Sequence, residues 1–467
     1  MPELRGTTRG PVLTRWFGTE NLHLLDVYEG LGGYGALRKA LTSMTPDQIV
    51  QEVKDAGLRG RGGADFSTGI KWSLMPKESP LPMHLVVNAD ESEPGSAKDR
   101  YLMENSPHML LEGIGIASFA IRSHQAWIYI RGEYDLPFER LTDAIAAMRA
   151  KNYLGDRPFG ADWPLDIRIF RGHGAYICGE EGALLESLEG KRAQPRAWKP
   201  PYPAQKGVWG RPTTVNNVET IATVPWIIEN GAAAYAKLGT EKAKGTRMFT
   251  VSGHVQRPGN YEMEIGKTYR DLIEGLAGGA LPGRKIKAWW PGGSSAPVMP
   301  GDLLDTTTDL DGIKDVANLK GHPIPPQTMG GRTFATMGGS GGVIVMDDRF
   351  CAVKAAHRLL QFYAHESCGK CTPCRVGGNW AVRAYEHMLS GEGGPEDIAI
   401  LDRVQEGLQG GRCLCGLGDA AGWVIASSLT HFRNEYEEHA LHNICSAENA
   451  SSPRSEEVAR SAGGARA

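Results

Sequence analysis

Residues 84–95 read HLVVNADESEPG, an apolar run that passes straight into carboxylates, a proline and a glycine. Two later runs have the same shape. AWIYIR (126–131) is followed by Gly132 and Glu133, and LDIRIFR (165–171) by GHGAYICGEE (172–181). Short runs rich in β-branched and aromatic residues and bounded by turn formers read as buried strands. Helix-length segments at 107–122 and 135–150 lie between them, giving β-α-β-α-β, the pattern of a parallel sheet. Open α/β sheets bind ligands beyond the carboxyl ends of their strands. The polar exits after Asn88, Arg131 and Arg171 therefore mark the edge at which a ligand sits.

Upstream, TPDQIVQEVKDA (45–56) has a Thr-Pro-Asp start and helical apolar spacing at Ile49 and Val53. It runs into GLRGRGGADFSTGIKW (57–72). This glycine loop follows a helix rather than a strand, so it is not the usual dinucleotide fingerprint. Lys71 beside it can meet a phosphate. Residues 1 to about 45 are mixed and resist reading.

Downstream, FTVSGHVQRPGNYEMEIGKTYRDLIEGLAGG (249–279) has short alternating strands, a Pro-Gly turn and one helix. It predicts a small β-rich module, with Trp289 and Trp290 in its core. From Phe350 four helical segments with short connections predict a bundle. The expected domains are 1–245, 246–335 and 336–445, with a disordered polar tail at 446–467.

Glycine supplies 60 of the 467 residues, against a usual share of about 7%, which suits a backbone that approaches ligands closely. A net charge of −3 gives no electrostatic footing for nucleic acid. No run reaches the roughly 18 apolar residues of a membrane span. MPELRGTTRGP at the start lacks the apolar core of a signal peptide.

Of eight cysteines, Cys368, Cys371, Cys374, Cys413 and Cys415 cluster, while Cys178, Cys351 and Cys445 stand alone. CGKCTPC (368–374) has the two-residue spacers with which three thiolates converge on a cubane iron–sulfur cluster. Structural zinc sites offer two separated pairs instead. Cys413 or Cys415 can supply the fourth ligand. The acidic groups Asp90/Glu91/Glu93 and Glu180/Glu181 read either as solvated surface or as a site; both follow predicted buried strands and border glycines. Asn216 and Asn217 add amides. His173 has no nucleophile near it beyond Cys178, so no hydrolase triad emerges.

Six stretches together resemble the F subunit of bacterial complex I, NADH:quinone oxidoreductase: GRGGADFSTGIKWSLMP (60–76), NADESEPGSAKDR (88–100), GAYICGEEGALLESLEGKR (174–192), KPPYPAQKGVWGRPTTVNNVET (199–220), GGSGGVIVMDD (338–348) and ESCGKCTPCR (366–375). The resemblance implies a Rossmann-like FMN and NADH domain, a β-grasp (ubiquitin-like) domain and a C-terminal helical bundle carrying a [4Fe–4S] cluster. It implies NADH contacts at Gly60, Arg61, Gly62, Gly63, Phe66, Gly69, Glu93, Glu181 and Tyr202. FMN contacts fall on Gly62, Lys71, Asn88, Asp90, Glu91, Gly179, Glu180, Asn216 and Asn217. Cys368, Cys371, Cys374 and Cys415 become the cluster ligands, because Cys415-Gly-Leu-Gly fits the family's Cys-x-Leu-Gly better than Cys413 does.

Hydride would pass from NADH to FMN, with no side chain needed as acid or base. The implied partners are a thioredoxin-like [2Fe–2S] subunit (E type) and a large iron–sulfur subunit (G type). The chain would then sit peripherally on the cytoplasmic side of the bacterial membrane, held there only through the rest of the complex. The chain departs from the family at Asp65 (usually Gly), Gly182 (usually Thr), Leu74 (often aromatic) and in the spacing around Ala197 and Trp198. Two rival readings are a diaphorase subunit of a soluble NAD-linked hydrogenase or formate dehydrogenase, and a scaffold with a structural cluster and an empty pocket. Diaphorase chains often carry an N-terminal iron–sulfur domain, and no cysteine precedes Cys178.

Overall fold

Thr45 opens α1 (Pro46–Asp55) as its sequence predicts. Its hydroxyl accepts the Gln48 N–H at 3.3 Å, and the Gln48 side chain accepts the Thr45 N–H at 2.7 Å, a reciprocal cap. The computed structural model describes residues 11–197, 200–309, 312, 321–323, 328–329, 332–333 and 335–447. Trp198 and residues 448–467, with the spacing and disorder expected of them, lie outside the described residues.

After the glycine loop and the short α2 (Thr68–Ser73), the chain alternates strands and helices. These are β1 (His84–Ala89), α3 (Lys98–Asn105), α4 (Pro107–Ala120), β2 (Gln125–Ile130), α5 (Asp135–Ala150), β3 (Asp166–Arg171), α6 (Glu181–Leu188), β4 (Thr213–Asn217) and α7 (Val218–Asn230). The described strands pair in parallel in the order β3-β2-β1-β4. β1 sits between β2 and β4 and is buried except at Asn88, which explains its unbroken apolar run. Strand order reverses between β1 and β4, so a crevice opens beyond Asn88 and Asn217. α4 is buried on nearly all sides. Gly113 lets α7 lie against it, because a Cβ there would run into the Ile221 carbonyl.

The N-terminal segment is tied in by two buried carboxylates. Glu112 on α4 accepts the Tyr28 hydroxyl at 2.6 Å and the Leu37 N–H at 3.1 Å. Glu262 accepts the N–H groups of Val12, Leu13 and Thr14 at 2.8–3.2 Å.

Glu262 belongs to a second sheet of β5 (Thr246–Gly253), β6 (Gly259–Glu264), β7 (Ile286–Trp290), β8 (Met299–Pro300) and β9 (Gly342–Asp347). Its order among the described residues is β6-β5-β9-β7-β8, with β5 and β9 parallel and the other neighbours antiparallel. The central strand β9 lies beyond residue 335, where the β-rich module was expected to end. A six-residue strand behind a glycine-rich stretch shows its membership only through pairing with β5 and β7. Trp289 and Trp290 are buried as expected, and Trp289 Nε1 donates to the Pro300 carbonyl at 2.9 Å.

The helical region follows with α8 (Ala352–Glu366), α9 (Gly378–Ser390), α10 (Pro395–Leu408) and α11 (Gly416–His442). Leu360, Tyr385, Leu401 and Ile425 meet in its core. Phe432 breaks the helical geometry of α11 with φ −131° and ψ 30°.

Candidate functional site

The crevice between β1 and β4 widens into a cavity of about 360 Å³, within the range of cofactor pockets. Its walls come from all three regions: the glycine loop and the exits of β1 and β4 from the first, Ser295, Met337, Gly339 and Ser340 from the second, and Cys415–Leu417 from the third.

The acidic residues after β1 have separate duties. Glu91 accepts the N–H groups of Asp99 (3.0 Å) and Arg100 (2.8 Å), and the hydroxyls of Ser96 (3.0 Å) and Tyr134 (3.1 Å). It is thus the N-terminal cap of α3. Glu93 is fixed by the Tyr176 hydroxyl at 2.7 Å and by the Ser294 hydroxyl and Ser295 N–H, both at 2.8 Å. Gly293, at φ 92°, makes room for it, since a Cβ there would overlap the Glu93 side chain. Asp90 differs. Both of its carboxylate oxygens are buried and have no hydrogen-bond partner among the described residues. Buried polar groups are ordinarily satisfied, so a polar ligand is what would complete this one.

Burial pushes Asp90 up to about 7, with nearby Ser92 and Arg131 pulling the other way. Burial also raises Glu93 against its donors.

Amides complete the rim. Asn88 Nδ2 donates to the Gly179 carbonyl at 2.9 Å and its Oδ1 accepts the Asp90 N–H at 3.1 Å, which locks the β1 exit to the loop after β3. Asn217 caps α7 through Thr220 N–H at 3.4 Å and donates to Asp99 at 2.6 Å. Asn216 turns inward to accept Trp72 Nε1 at 3.0 Å. Glu180 caps α6 through the Ala183 N–H at 2.8 Å.

The glycine loop lies flat against these amides. A Cβ on Gly62 would stand 3.1 Å from Asn217 Cβ, and Gly63 adopts φ 118° beside Gly339. The Arg61 guanidinium is buried and faces away, donating to the Lys244 carbonyl at 2.9 Å and to the Tyr235 hydroxyl at 3.3 Å. Asp65 holds φ 53° and stands 3.9 Å from Arg61 Nη1. Gly69 serves packing, because a Cβ there would fall 2.6 Å from the Lys54 backbone nitrogen.

Among the expected contacts, Arg61, Gly62, Gly63, Asn88, Asp90, Glu91, Glu93, Gly179, Glu180, Asn217 and Cys415 line the one cavity. Gly60, Phe66, Gly69, Lys71, Glu181, Asn216 and Tyr202 lie outside its lining. Lys71 and Glu181, expected on different ligands, pair with each other at 2.8 Å. Phe66 and Tyr202 are 52% and 57% exposed, which leaves both rings open for stacking.

Lys98 and Asp99 also line the cavity, though the sequence pattern does not single them out. Lys98 is fully buried and bridges Asp99 (2.7 Å) and Glu219 (2.8 Å). Burial would depress its pKa, but Asp99, Glu219 and Glu91 together raise it. Burial raises Asp99 in turn. The Pro-Gly turn before Ser96-Ala-Lys98 is the one available signal.

The cysteine loop lies behind the Cys415 wall. Arg192 and Gln194 donate to the Cys368 carbonyl at 3.4 and 3.2 Å, and Lys370 to the Pro195 carbonyl at 2.6 Å, anchoring the loop to the first region. Ser367 Oγ is 3.2 Å from Cys374 Sγ. Cys415 occupies the N-cap position of α11, while Cys413 is buried under Gly418. Burial pushes Cys374 up to about 11, Cys415 to about 12 and Cys413 higher still. Gathered thiols of this kind, Cys374 buried and Cys368, Cys371 and Cys415 half-buried, suit soft cations, which deprotonate them on binding. The donor set therefore fits an iron–sulfur cluster.

Residues 53–226 match the family described as the Nuo51 FMN-binding domain, residues 248–299 the SLBB domain, and residues 354–439 the NADH-ubiquinone oxidoreductase-F iron-sulfur binding region. The second NADH-quinone oxidoreductase F subunit of Rhizobium meliloti (strain 1021) is 46% identical over 435 residues, covering 93% of this chain and 99% of its own length. The NADH-quinone oxidoreductase F subunit of Streptomyces coelicolor (strain A3(2)) is 43% identical, covering 95% of each chain. Among solved structures, a chain of an NAD⁺-reducing [NiFe]-hydrogenase in the H₂-reduced state matches with a TM-score of 0.78 and 34% identity. That match covers 97% of this chain and 71% of the hydrogenase chain.

Proposed function

The chain belongs to the family of NADH-quinone oxidoreductase F subunits, and from that premise we propose how its own residues carry the family's work. It is an oxidoreductase that takes electrons from NADH through FMN to a [4Fe–4S] cluster and onward toward quinone. When bound, the flavin accepts a hydride and releases electrons singly to the cluster. The protein's own share is positioning and electrostatics.

Gly62, Lys71, Asn88, Asp90, Glu91, Gly179, Glu180, Asn216 and Asn217 would hold the flavin. The unpartnered Asp90 carboxyl carries this reading. At about 7 it can accept or donate a hydrogen bond near neutral pH, which suits the mixed donor and acceptor edge of a flavin ring. Glu91 and Asn217 hold α3 and α7 in place around the site. Gly60 to Gly63, Phe66, Gly69, Glu93, Glu181 and Tyr202 would hold NADH, the flat glycine loop admitting the pyrophosphate and the exposed rings of Phe66 and Tyr202 offering faces to adenine. Cys368, Cys371, Cys374 and Cys415 would ligate the cluster. That Cys415 lies in the cavity wall supports a short path from flavin to cluster.

The strand order β3-β2-β1-β4 supports a Rossmann-like first domain over 1–245. The order β6-β5-β9-β7-β8, with a parallel central pair, supports a β-grasp domain extended to β9, followed by the helical [4Fe–4S] domain. As one of a family of subunits, the chain works inside a multi-subunit assembly. The cluster implies iron–sulfur neighbours, a thioredoxin-like [2Fe–2S] subunit and a large iron–sulfur subunit. No helix of the described residues is long and apolar enough to cross a membrane. Attachment would be peripheral, on the cytoplasmic side, through the rest of the complex.

The hydrogenase likeness favours a second reading, a diaphorase subunit. Co-purified partners separate the two: quinone-reductase subunits support the first reading and hydrogenase subunits the second. Flavin absorption must accompany the iron–sulfur shoulder in the visible spectrum, and a protein without flavin would return the scaffold reading.

A further inference from the structure

Cys351 and Cys445, which stand apart from the cluster in sequence, meet His439 at the opposite end of α11. Cys351 caps α8, with Lys354 N–H donating to its sulfur at 3.5 Å. His439 lies in the last turn of α11, and Cys445 follows the left-handed Asn443 that ends the helix. The three donor atoms lie within 4.8 Å of one another, and Cys351 Sγ is 3.3 Å from His439 Nε2. Cys351 and His439 are buried and Cys445 is half-buried. Glu435 is close but engaged, accepting the Ala352 N–H at 2.9 Å and pairing with Lys287 at 2.8 Å.

We propose that Cys351, His439 and Cys445 form a mononuclear zinc site that clamps the end of α11 to the start of α8. Two sulfurs and one imidazole are a borderline-soft donor set, which selects zinc over hard cations. The geometry agrees. Zn–S bonds of about 2.3 Å and Zn–N bonds near 2.05 Å at tetrahedral angles set S···N at about 3.6 Å and S···S at about 3.8 Å. The fourth position is left to water, which reaches the half-buried Cys445 side.

Neither Cys351 nor His439 borders the cofactor cavity, and a buried thiol–imidazole pair offers a substrate no approach. His439 and Cys415 lie at opposite ends of α11, on either side of the break at Phe432. Zinc, which has no redox chemistry, leaves electron flow to the cluster.

The test uses the full chain with its flavin and cluster. Metal analysis after dialysis against zinc should give about one zinc per chain besides the cluster iron, with sulfur and nitrogen ligands by zinc X-ray absorption. Cys445→Ser and His439→Gln should each lower zinc to below about 0.1 per chain. Flavin, iron and NADH oxidation with an artificial one-electron acceptor should stay unchanged. Cys445 lies past the helix end, so its variant keeps the test alive if Cys351→Ser fails to fold. Zinc retained in Cys445→Ser, no zinc in the wild type, or a Cys351–Cys445 disulfide in peptide mapping of the native protein would each overturn the proposal.

Discussion

Replacing Asp65 by Asn removes one negative charge from the nucleotide loop without changing its backbone, since Asn tolerates the φ of 53° found there. The carboxylate stands 3.9 Å from the buried Arg61 guanidinium. At an effective dielectric near 20 such a pair attracts by about 4 kcal/mol. Desolvation offsets much of that, and Arg61 keeps Tyr235 and Lys244 as acceptors. Cutting the pair should therefore cost about 1–2 kcal/mol of stability, below the usual cost of breaking a buried pair. The same pair shapes the field at the ligand. A bare carboxylate about 6 Å from a pyrophosphate charge would repel it by roughly 3 kcal/mol. Arg61 cancels most of this and leaves about 1 kcal/mol, or about fivefold in affinity. NADH and NAD⁺ should thus bind Asp65→Asn about fivefold more tightly, most visibly at low salt, and product release should slow. Asp65→Gly should behave alike if charge rather than backbone is responsible. Calorimetric titration across a salt series measures this, and equal Kd values for wild type and Asp65→Asn at every ionic strength would refute the reasoning.

Glu181→Gln deprives Lys71 of its partner at 2.8 Å, so a loss of negative charge and an unmasked cation both favour a 2′-phosphate. NADPH oxidation relative to NADH should rise about tenfold, and an unchanged steady-state ratio counts against a role for the pair. Cys415→Ser should abolish or alter the cluster's EPR signal while Cys413→Ser leaves it nearly intact; the reverse would move the fourth ligand to Cys413. Asp90 is raised in the folded chain from 3.8 to about 7, so the folded state binds more protons than the unfolded state between those values. Its contribution is thus favourable at low pH and fades as pH climbs from about 4 to about 7. In ligand-free protein Asp90→Asn should flatten that decline in chemical denaturation, and parallel wild-type and variant pH profiles would disprove the assignment.

The parts of the fold that are legible in sequence are those that solve their burial locally. HLVVN declares itself because β1 is covered on both faces, and Thr45-Pro-Asp because its cap spans only three residues. TTVNN (213–217) shows no apolar pattern, since β4 is short and its asparagines serve the crevice. Asn216 and Asn217 stand out as amides and the resemblance gives them an FMN role, but neither reading supplies a strand to hold them. Nothing in the sequence sets Lys98 apart, and only the arrival of Glu219 from α7 makes it a buried bridge. Ser295, Met337, Gly339 and Ser340 reach the cavity by docking of the second sheet, which leaves no mark on local spacing. That Lys71 and Glu181 face each other is likewise invisible in sequence, because their meeting depends on the fold.

Glu262 grips residues 12–14 across 248 positions of chain. On a ribosome adding about 5–20 residues per second, that arm emerges roughly 12–50 s before its acceptor exists. The parallel sheet, whose last described strand ends at Asn217, can assemble within that interval with its leading segment still loose. Birth order therefore makes the second sheet the latch on a domain synthesised before it. A nascent chain arrested before Glu262 should expose residues 12–14 to protease, and one arrested well past it should not.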